Sequence, residues 1–248
     1  MDSSESIPCA QPQRTALVTG GSGALGSAIV RRLCRDGYAV AFTFNRNQAA
    51  ADSLAGETGA AAFQADLTVQ QQVQACVAAA LKRLDHVDVL VNNAGLTQVM
   101  PFALLEEQDW DRVLAANLKT MFLVTHAVAR GMITRQAGCI INIGSLAGHR
   151  VLEVPVHYAA AKAGVSGFTL ALAKELSRYH IRVNCVVPGL LDAGVSTMVP
   201  EKEVAEYVRF STAGRVGKPE EVAATVAFLA SDEAGYINAQ NIFVDGGV

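Results

Sequence analysis

The chain is poor in charge. Asp, Glu, Lys and Arg make up 17% of 248 residues and leave a formal net charge of −3. Neither a basic footprint for nucleic acid nor one for an anionic membrane surface is present. It is also poor in proline, with seven against 21 glycines, which excludes collagen-like and Pro-rich linker compositions. Long apolar runs are missing: none approaches the ~18 residues of a membrane span. The five cysteines, Cys9, Cys34, Cys76, Cys139 and Cys185, are odd in number and scattered, with no C-x-x-C pair. A disulfide framework and a zinc site are both disfavoured, and reduced thiols in the cytoplasm are expected. The segment Met1–Ser6 is acidic and polar and has neither the basic start nor the apolar stretch of a secretory signal.

What is abundant is apolar residue, 51% of the chain. That is ample for one buried core, while the length is short for two ordinary enzyme domains. Residues 1–13 show no apolar periodicity and are expected to be a loose tail ahead of one domain over 14–248. From Ala16 onward short apolar runs alternate with helical patterns. Strands are expected at 16–18, 39–44, 61–64, 87–91, 139–143, 182–187 and 241–244. Helices are expected from about 25 to 35 and near 47–56, 70–84, 109–131, 157–179, 201–209 and 219–230. Continuous apolar strands alternating with helices predict a parallel sheet covered on both faces, a Rossmann-type doubly wound α/β architecture. The irregular stretch 190–212 follows the C-terminal end of a strand, where such sheets place their sites, and is expected to be a substrate lid.

Two patterns bear chemistry. Gly20, Gly21, Gly23 and Gly26 lie between the first strand and the first helix, and Gly21, Gly23 and Gly26 match G-x-G-x-x-G. Glycines there permit a tight turn and a close approach of pyrophosphate to the N–H groups of a helix N-terminus. At the end of the second strand, Thr43-Phe44-Asn45-Arg46-Asn47 offers no acid for the adenosine ribose and one arginine suited to a 2′-phosphate. NADPH is therefore expected ahead of NADH. In the second pattern, Tyr158 and Lys162 stand four apart on a helix and share a face. An ammonium beside a phenol stabilises the phenolate and is expected to lower its pKa, and Ser145 supplies a hydroxyl for a developing oxyanion.

Together these pieces resemble the short-chain dehydrogenase/reductase family over residues 14–248. The resemblance rests on Thr19–Gly26, Asp66, Asn92-Asn93-Ala94-Gly95, Asn117, Ser145, Tyr158-Ala-Ala-Ala-Lys162, Pro188-Gly189 and Val244-Asp245-Gly246-Gly247. Within the family the wording of Tyr158–Gly164 and of Gly214-Arg-Val-Gly-Lys-Pro-Glu-Glu221 is similar to the 3-oxoacyl-[acyl-carrier-protein] reductases. The resemblance implies a seven-stranded sheet and a tetramer or dimer built on the helices near 109–131 and 157–179. It also implies roles. Tyr158 would donate a proton, Lys162 would bind the nicotinamide ribose, Ser145 would orient the carbonyl, and Asn117 would hold a relay water. Gly20, Ser22, Gly23, Leu25 and Gly26 would form the phosphate turn, and Asp66 and Leu67 would meet adenine. Asn93, Ala94 and Gly95 would line the adenosine side, with Pro188, Gly189 and Leu191 at the nicotinamide.

The chain departs from the family pattern at four places. Ala24 and Gly23 replace a glycine and a basic residue of the turn. Ala193 replaces a threonine whose contact would pass to Ser196 or Thr197. Ala239 stands where glycine is common. The turn's wording is similar to ketoreductase domains of polyketide synthases.

The expected pocket walls are apolar: Leu96, Met100, Leu146, Val151, Leu152, Leu190, Leu191, Val195 and Met198. They suit an acyl or ring portion beside a carbonyl. His149 and His157 are expected to flank the site. Arg135, Arg150 and Arg178 are candidates for docking an acidic carrier protein near the entrance. The leading expectation is reduction of a 3-oxoacyl thioester in fatty-acid or polyketide assembly. The alternatives are a dehydrogenase of a free alcohol, sugar or steroid, and a nucleotide-binding sensor without turnover.

Overall fold

The computed structural model describes residues 13–248, so the expected N-terminal tail, but for Gln13, lies outside the described residues. Seven strands form one parallel sheet in the order β3-β2-β1-β4-β5-β6-β7. They are β1 (Thr15–Val18), β2 (Ala39–Phe44), β3 (Ala61–Gln64), β4 (Val89–Asn92), β5 (Gly138–Ile143), β6 (Ile181–Pro188) and β7 (Asn241–Val244). The order reverses between β1 and β4, and doubly wound sheets open a crevice at such a point, beyond the carboxyl ends of the strands.

The strands read as unbroken apolar runs because both faces are covered. In β1, Ala16 and Val18 face one core and Leu17 the other, all without measurable exposure. The first core packs β-sheet residues against α1 (Ala24–Arg35) and α8 (Pro219–Ala230) through Ile29, Leu33, Val226 and Leu229. The second packs them against α3 (Gln70–Leu84), α5 (Thr120–Arg135) and α6 (Val156–Leu176) through Val73, Val77, Val124, Val128, Met132, Ala173 and Leu176. α2 (Gln48–Thr58) and α7 (Glu201–Phe210) complete the order with α4 (Glu107–Leu114).

Three expectations change. The helix expected over 109–131 is α4 and α5 joined by one π turn, Ala115–Lys119, which places Asn117. A π turn is a main-chain i→i+5 bonding pattern, which side-chain periodicity does not report. The expected lid holds more regular structure than its composition suggested: a 3-10 turn over Gly194–Met198 and then α7. Ala239 adopts φ 57°, the left-handed region that glycine occupies without strain, and its N–H is held by the Val183 carbonyl at 3.0 Å.

Among the described residues no helix is long and apolar enough to cross a membrane, and no His, Cys, Asp and Glu group could hold a metal ion. Cys34, Cys76, Cys139 and Cys185 are free thiols.

Candidate active site

A cleft of about 1390 Å³ opens at the carboxyl edge of the sheet and gathers the catalytic and cofactor candidates singled out above, Gly21 of the glycine motif excepted. Gly20, Ser22, Gly23, Leu25 and Gly26 line it from the β1–α1 turn, and Arg46, Asp66 and Leu67 from the ends of β2 and β3. Asn93, Ala94 and Gly95 follow β4, and Asn117, Ser145, Tyr158 and Lys162 face them. Pro188, Gly189 and Leu191 close it from the end of β6.

The glycine turn is fixed by its neighbours. Gly20 has φ 67°. A Cβ on Gly26 would stand 2.2 Å from the Gly20 carbonyl oxygen and 2.8 Å from Asn93 Nδ2. Asn93 Nδ2 donates to the carbonyls of Thr19 (2.9 Å) and Gly20 (3.2 Å). The Thr19 hydroxyl accepts from the N–H groups of Asn93 (2.9 Å) and Ala94 (3.0 Å). The cradle thus fits a pyrophosphate: small residues, a helix N-terminus, and walls tied by bonds across two strands. Gly21, the first glycine of the motif reading, is absent from the cleft. It packs over the Phe42 ring, which a Cβ would meet at 2.6 Å. Ala24 opens α1, where right-handed backbone suits any residue, so its departure from glycine is tolerated. Gly23 brings no side chain to the cleft, and Arg46, which is exposed, lines it from the end of β2.

Below the cleft runs a polar chain that strand periodicity did not reveal. Asn92 Nδ2 donates to Thr125 Oγ1 (2.9 Å) and to Asn142 Oδ1 (2.8 Å), and Asn142 Nδ2 donates to Thr169 Oγ1 (2.9 Å). All four residues are buried. The chain ties β4 and β5 to α5 and α6, the four elements that carry Asn93, Ser145, Asn117's helix and Tyr158. Its one sequence signal is amide and hydroxyl residues inside apolar runs.

Asn117 sits in the π turn. Its Nδ2 donates to the carbonyls of Leu96 (2.7 Å) and Val113 (2.9 Å). Its Oδ1 is buried without a partner, and a Cβ built on Gly95 would lie 2.5 Å from that oxygen and 3.7 Å from Lys162 Nζ. A buried acceptor left open beside an ammonium suits a bound hydrogen-bond donor. Lys162 Nζ donates to the Ile143 carbonyl at 2.9 Å and stands 5.8 Å from the Tyr158 ring centre. Burial lowers its pKa to about 8. Ser145 caps a 3-10 turn, its Oγ accepting from the Ala147 N–H at 3.2 Å. The expected lowering of the Tyr158 pKa is not what the structure gives. Burial raises it, and the hydrogen bond with Ser145 offsets part of the rise. Desolvation penalises the phenolate more than Ser145 stabilises it, so Tyr158 is a neutral phenol at neutral pH.

Other expectations are corrected by placement. His149 and His157 do not line the cleft. His149 Nε2 meets Ser166 Oγ at 2.8 Å and its ring stands edge-on to Phe243. His157 is fully buried behind the wall, with no partner for either ring nitrogen. Burial lowers the pKa of both. Arg135 donates to the Val87 carbonyl at 2.6 Å, just ahead of β4, and Arg178 follows the end of α6. These helices run antiparallel to the strands, so within one chain both arginines lie at the edge opposite the cleft. Arg150 lies over the Phe243 ring at 5.0 Å. Of the apolar walls, Leu96, Met100, Leu146, Leu152, Leu190, Leu191 and Met198 line the cleft. Val151 points to solvent instead, and the Val195 side chain lies outside the described residues. Ser196 Oγ accepts from the Leu191 N–H at 3.1 Å, and Thr197 Oγ1 donates to the Gly194 carbonyl at 2.8 Å. Both line the cleft beside Ala193.

A doubly wound sheet with a glycine-rich turn at its switch point and a Ser, Tyr and buried Lys set at the same edge defines a class, the nicotinamide-dependent oxidoreductases. A family model described as "Enoyl-(Acyl carrier protein) reductase" matches residues 21–248. The chain is 39% identical over 240 residues to 3-oxoacyl-[acyl-carrier-protein] reductase FabG of Chlamydia trachomatis, covering 95% of this chain and 97% of that one. It is 40% identical over 235 residues to acetoacetyl-CoA reductase of Shinella zoogloeoides, with 94% and 98% covered. It is 39% identical over 237 residues to nodulation protein G of Rhizobium meliloti, with 95% and 96% covered. The chain belongs to the short-chain dehydrogenase/reductase family. It is an oxidoreductase acting on CH–OH and C=O groups.

Proposed function

We propose that the protein is an NADPH-dependent ketoreductase that reduces a 3-oxoacyl thioester, on a carrier protein or on coenzyme A, to the 3-hydroxyacyl form in fatty-acid or polyketide assembly. The observation that carries the reading is the meeting of Ser145, Tyr158, Lys162 and the open Asn117 Oδ1 at one end of a cleft whose other end is a phosphate cradle. The names of the relatives, a carrier-protein reductase and a coenzyme A thioester reductase, support the thioester. Arg46 at the end of β2, with no acid beside it in Phe44–Asn47, supports the 2′-phosphate. We place the protein in the cytoplasm as a homotetramer or homodimer. We assign 14–248 to one domain whose lid spans about 190–212.

The bound nicotinamide cofactor supplies the hydride that reaches the carbonyl carbon. This chain's residues govern the oxygen. Gly20, Ser22, Gly23, Leu25 and Gly26 hold the pyrophosphate, Asp66 and Leu67 the adenine, and Asn93, Ala94 and Gly95 the adenosine side. Pro188, Gly189 and Leu191 back the nicotinamide. Ser145 donates a hydrogen bond to the carbonyl oxygen as negative charge grows there. Tyr158, neutral at pH 7, gives its phenolic proton to that oxygen. The Lys162 ammonium stabilises the phenolate left behind, and the Asn117 carbonyl oxygen accepts from the donor that returns a proton through Lys162.

The test is NADPH oxidation with acetoacetyl-CoA and with carrier-protein thioesters, beside a panel of free ketones. Tyr158→Phe lowers kcat about 10³-fold, the scale of a lost general acid, while cofactor binding by fluorescence is retained. Turnover of free ketones alone, or cofactor binding with no turnover of any carbonyl, overturns the thioester reading.

A further inference from the structure

The cleft does not end at the reacting groups. Five large apolar side chains continue its wall outward, from three separate segments. Val99 (69% exposed) and Phe102 (74%) follow β4, Leu152 (37%) and Val156 (43%) precede Tyr158, and Met198 (52%) belongs to the lid. All line the same cavity as Ser145 and Tyr158. Exposed apolar surface on this scale around a site marks something it binds, because leaving it in water forfeits about 25 cal/mol for every Å² that a ligand could cover.

The two arms of a 3-oxoacyl thioester differ in chemistry. On one side of the reacting carbonyl lies the thioester with its amide-bearing pantetheine arm. On the other lies the acyl tail. Amides left without partners against an apolar wall lose hydrogen bonds to water, whereas a hydrocarbon tail gains by the same contact. In a four-carbon acyl group that tail is a single methyl, too small to cover side chains from three segments.

We propose, resting on the thioester reading above, that Val99, Phe102, Leu152, Val156 and Met198 form an acyl-tail channel. The site thereby selects 3-oxoacyl groups of eight or more carbons over the four-carbon group.

A fully buried methylene adds about 0.8 kcal/mol, close to a fourfold gain in affinity, and on an open wall about half that energy, near twofold, is expected. Across 3-oxobutanoyl-, 3-oxohexanoyl-, 3-oxooctanoyl- and 3-oxodecanoyl-CoA, kcat/KM rises by about twofold per methylene, at least tenfold from four to eight carbons. Val99→Ser with Phe102→Ser brings that ratio down toward one, and Val99→Ser alone lowers it partway should the pair fail to fold. A flat series in the parent protein overturns the channel, and so does an unchanged ratio in the folded variants. Calorimetry with butanoyl-CoA and decanoyl-CoA, which have no carbonyl at carbon 3, tests the channel without turnover: at least tenfold tighter binding of the decanoyl thioester supports it, and equal binding overturns it. If no thioester is reduced yet decanoyl-CoA binds tighter, the thioester reduction fails and the channel stands. If the serine variants change the oligomeric state in sedimentation and leave chain-length preference intact, the wall belongs to a second copy of the chain and the channel is overturned.

Discussion

The two ends of the cleft are built differently. At the adenosine end, Thr19, Gly20, Gly26 and Asn93 are locked by short bonds between neighbouring strands, and the space around Gly26 admits no further atom. At the substrate end, the walls are the segment after β4, the segment leading into α6 and a 3-10 turn, with large apolar side chains from about a third to three quarters in water. On the proposed function, the first end holds a ligand part that does not vary, and backbone geometry sets its shape. The second meets the part of the substrate that varies, and loops adjust there without disturbing the sheet.

The largest expected effect that tests this contrast is Gly26→Ala. Its Cβ would lie within 2.2 Å of the Gly20 carbonyl oxygen. Overpacking against backbone costs about 3 kcal/mol or more, read as a lower urea midpoint and a loss of cofactor binding. A fully stable, cofactor-binding Gly26→Ala protein would break the picture of a locked end.

Lys162 marks the junction of the two ends. Its pKa is about 8 in the folded chain against 10.5 ordinarily, because burial disfavours the ammonium. The unfolded chain therefore binds the extra proton between those values, and stability rises with pH across that window while the full penalty stands below it. Lys162→Met removes the penalty, raising stability at pH 7 by about 2–3 kcal/mol and flattening that rise in chemical denaturation, while turnover is lost. The rate of carbonyl reduction in the parent falls as pH passes about 8, where the ammonium is lost.

Arg46→Ala sharpens the assignment of the adenosine end: KM for NADPH rises about tenfold and KM for NADH stays within twofold, as expected for loss of one charge-assisted phosphate contact. An unchanged NADPH preference assigns selectivity elsewhere. The smallest effect belongs to the substrate end. Val99→Ser, at a side chain 69% exposed, shifts folding stability by less than about 0.5 kcal/mol in urea titration. A large loss there would show that the wall is part of the core.

Much of this was legible in residue order. Strand and helix alternation fixes a doubly wound sheet, since unbroken apolar strands such as Val89–Val91 need cover on two faces. The turn Thr19–Gly26 and the spacing of Tyr158 and Lys162 pointed to one edge of the sheet. The π turn at Asn117 was not legible, because it is a change in main-chain hydrogen bonding that residue types do not report. Neither was the buried chain from Thr125 through Asn92 and Asn142 to Thr169, whose members lie far apart in sequence. Arg135 and Arg178 look like entrance residues until the helix direction sends them to the other edge.

By itself, then, the sequence determined the class of fold, the glycine-rich turn after β1 and the placing of Tyr158 and Lys162 on one helix, because periodicity and short-range spacing are properties of the chain's local geometry. Only the tertiary structure decided the sign of the Tyr158 shift, the lowering of Lys162, the closure around Gly26 and the apolar wall beyond the reacting groups. Those depend on desolvation and on contacts between segments remote in sequence, which exist only once the chain is packed.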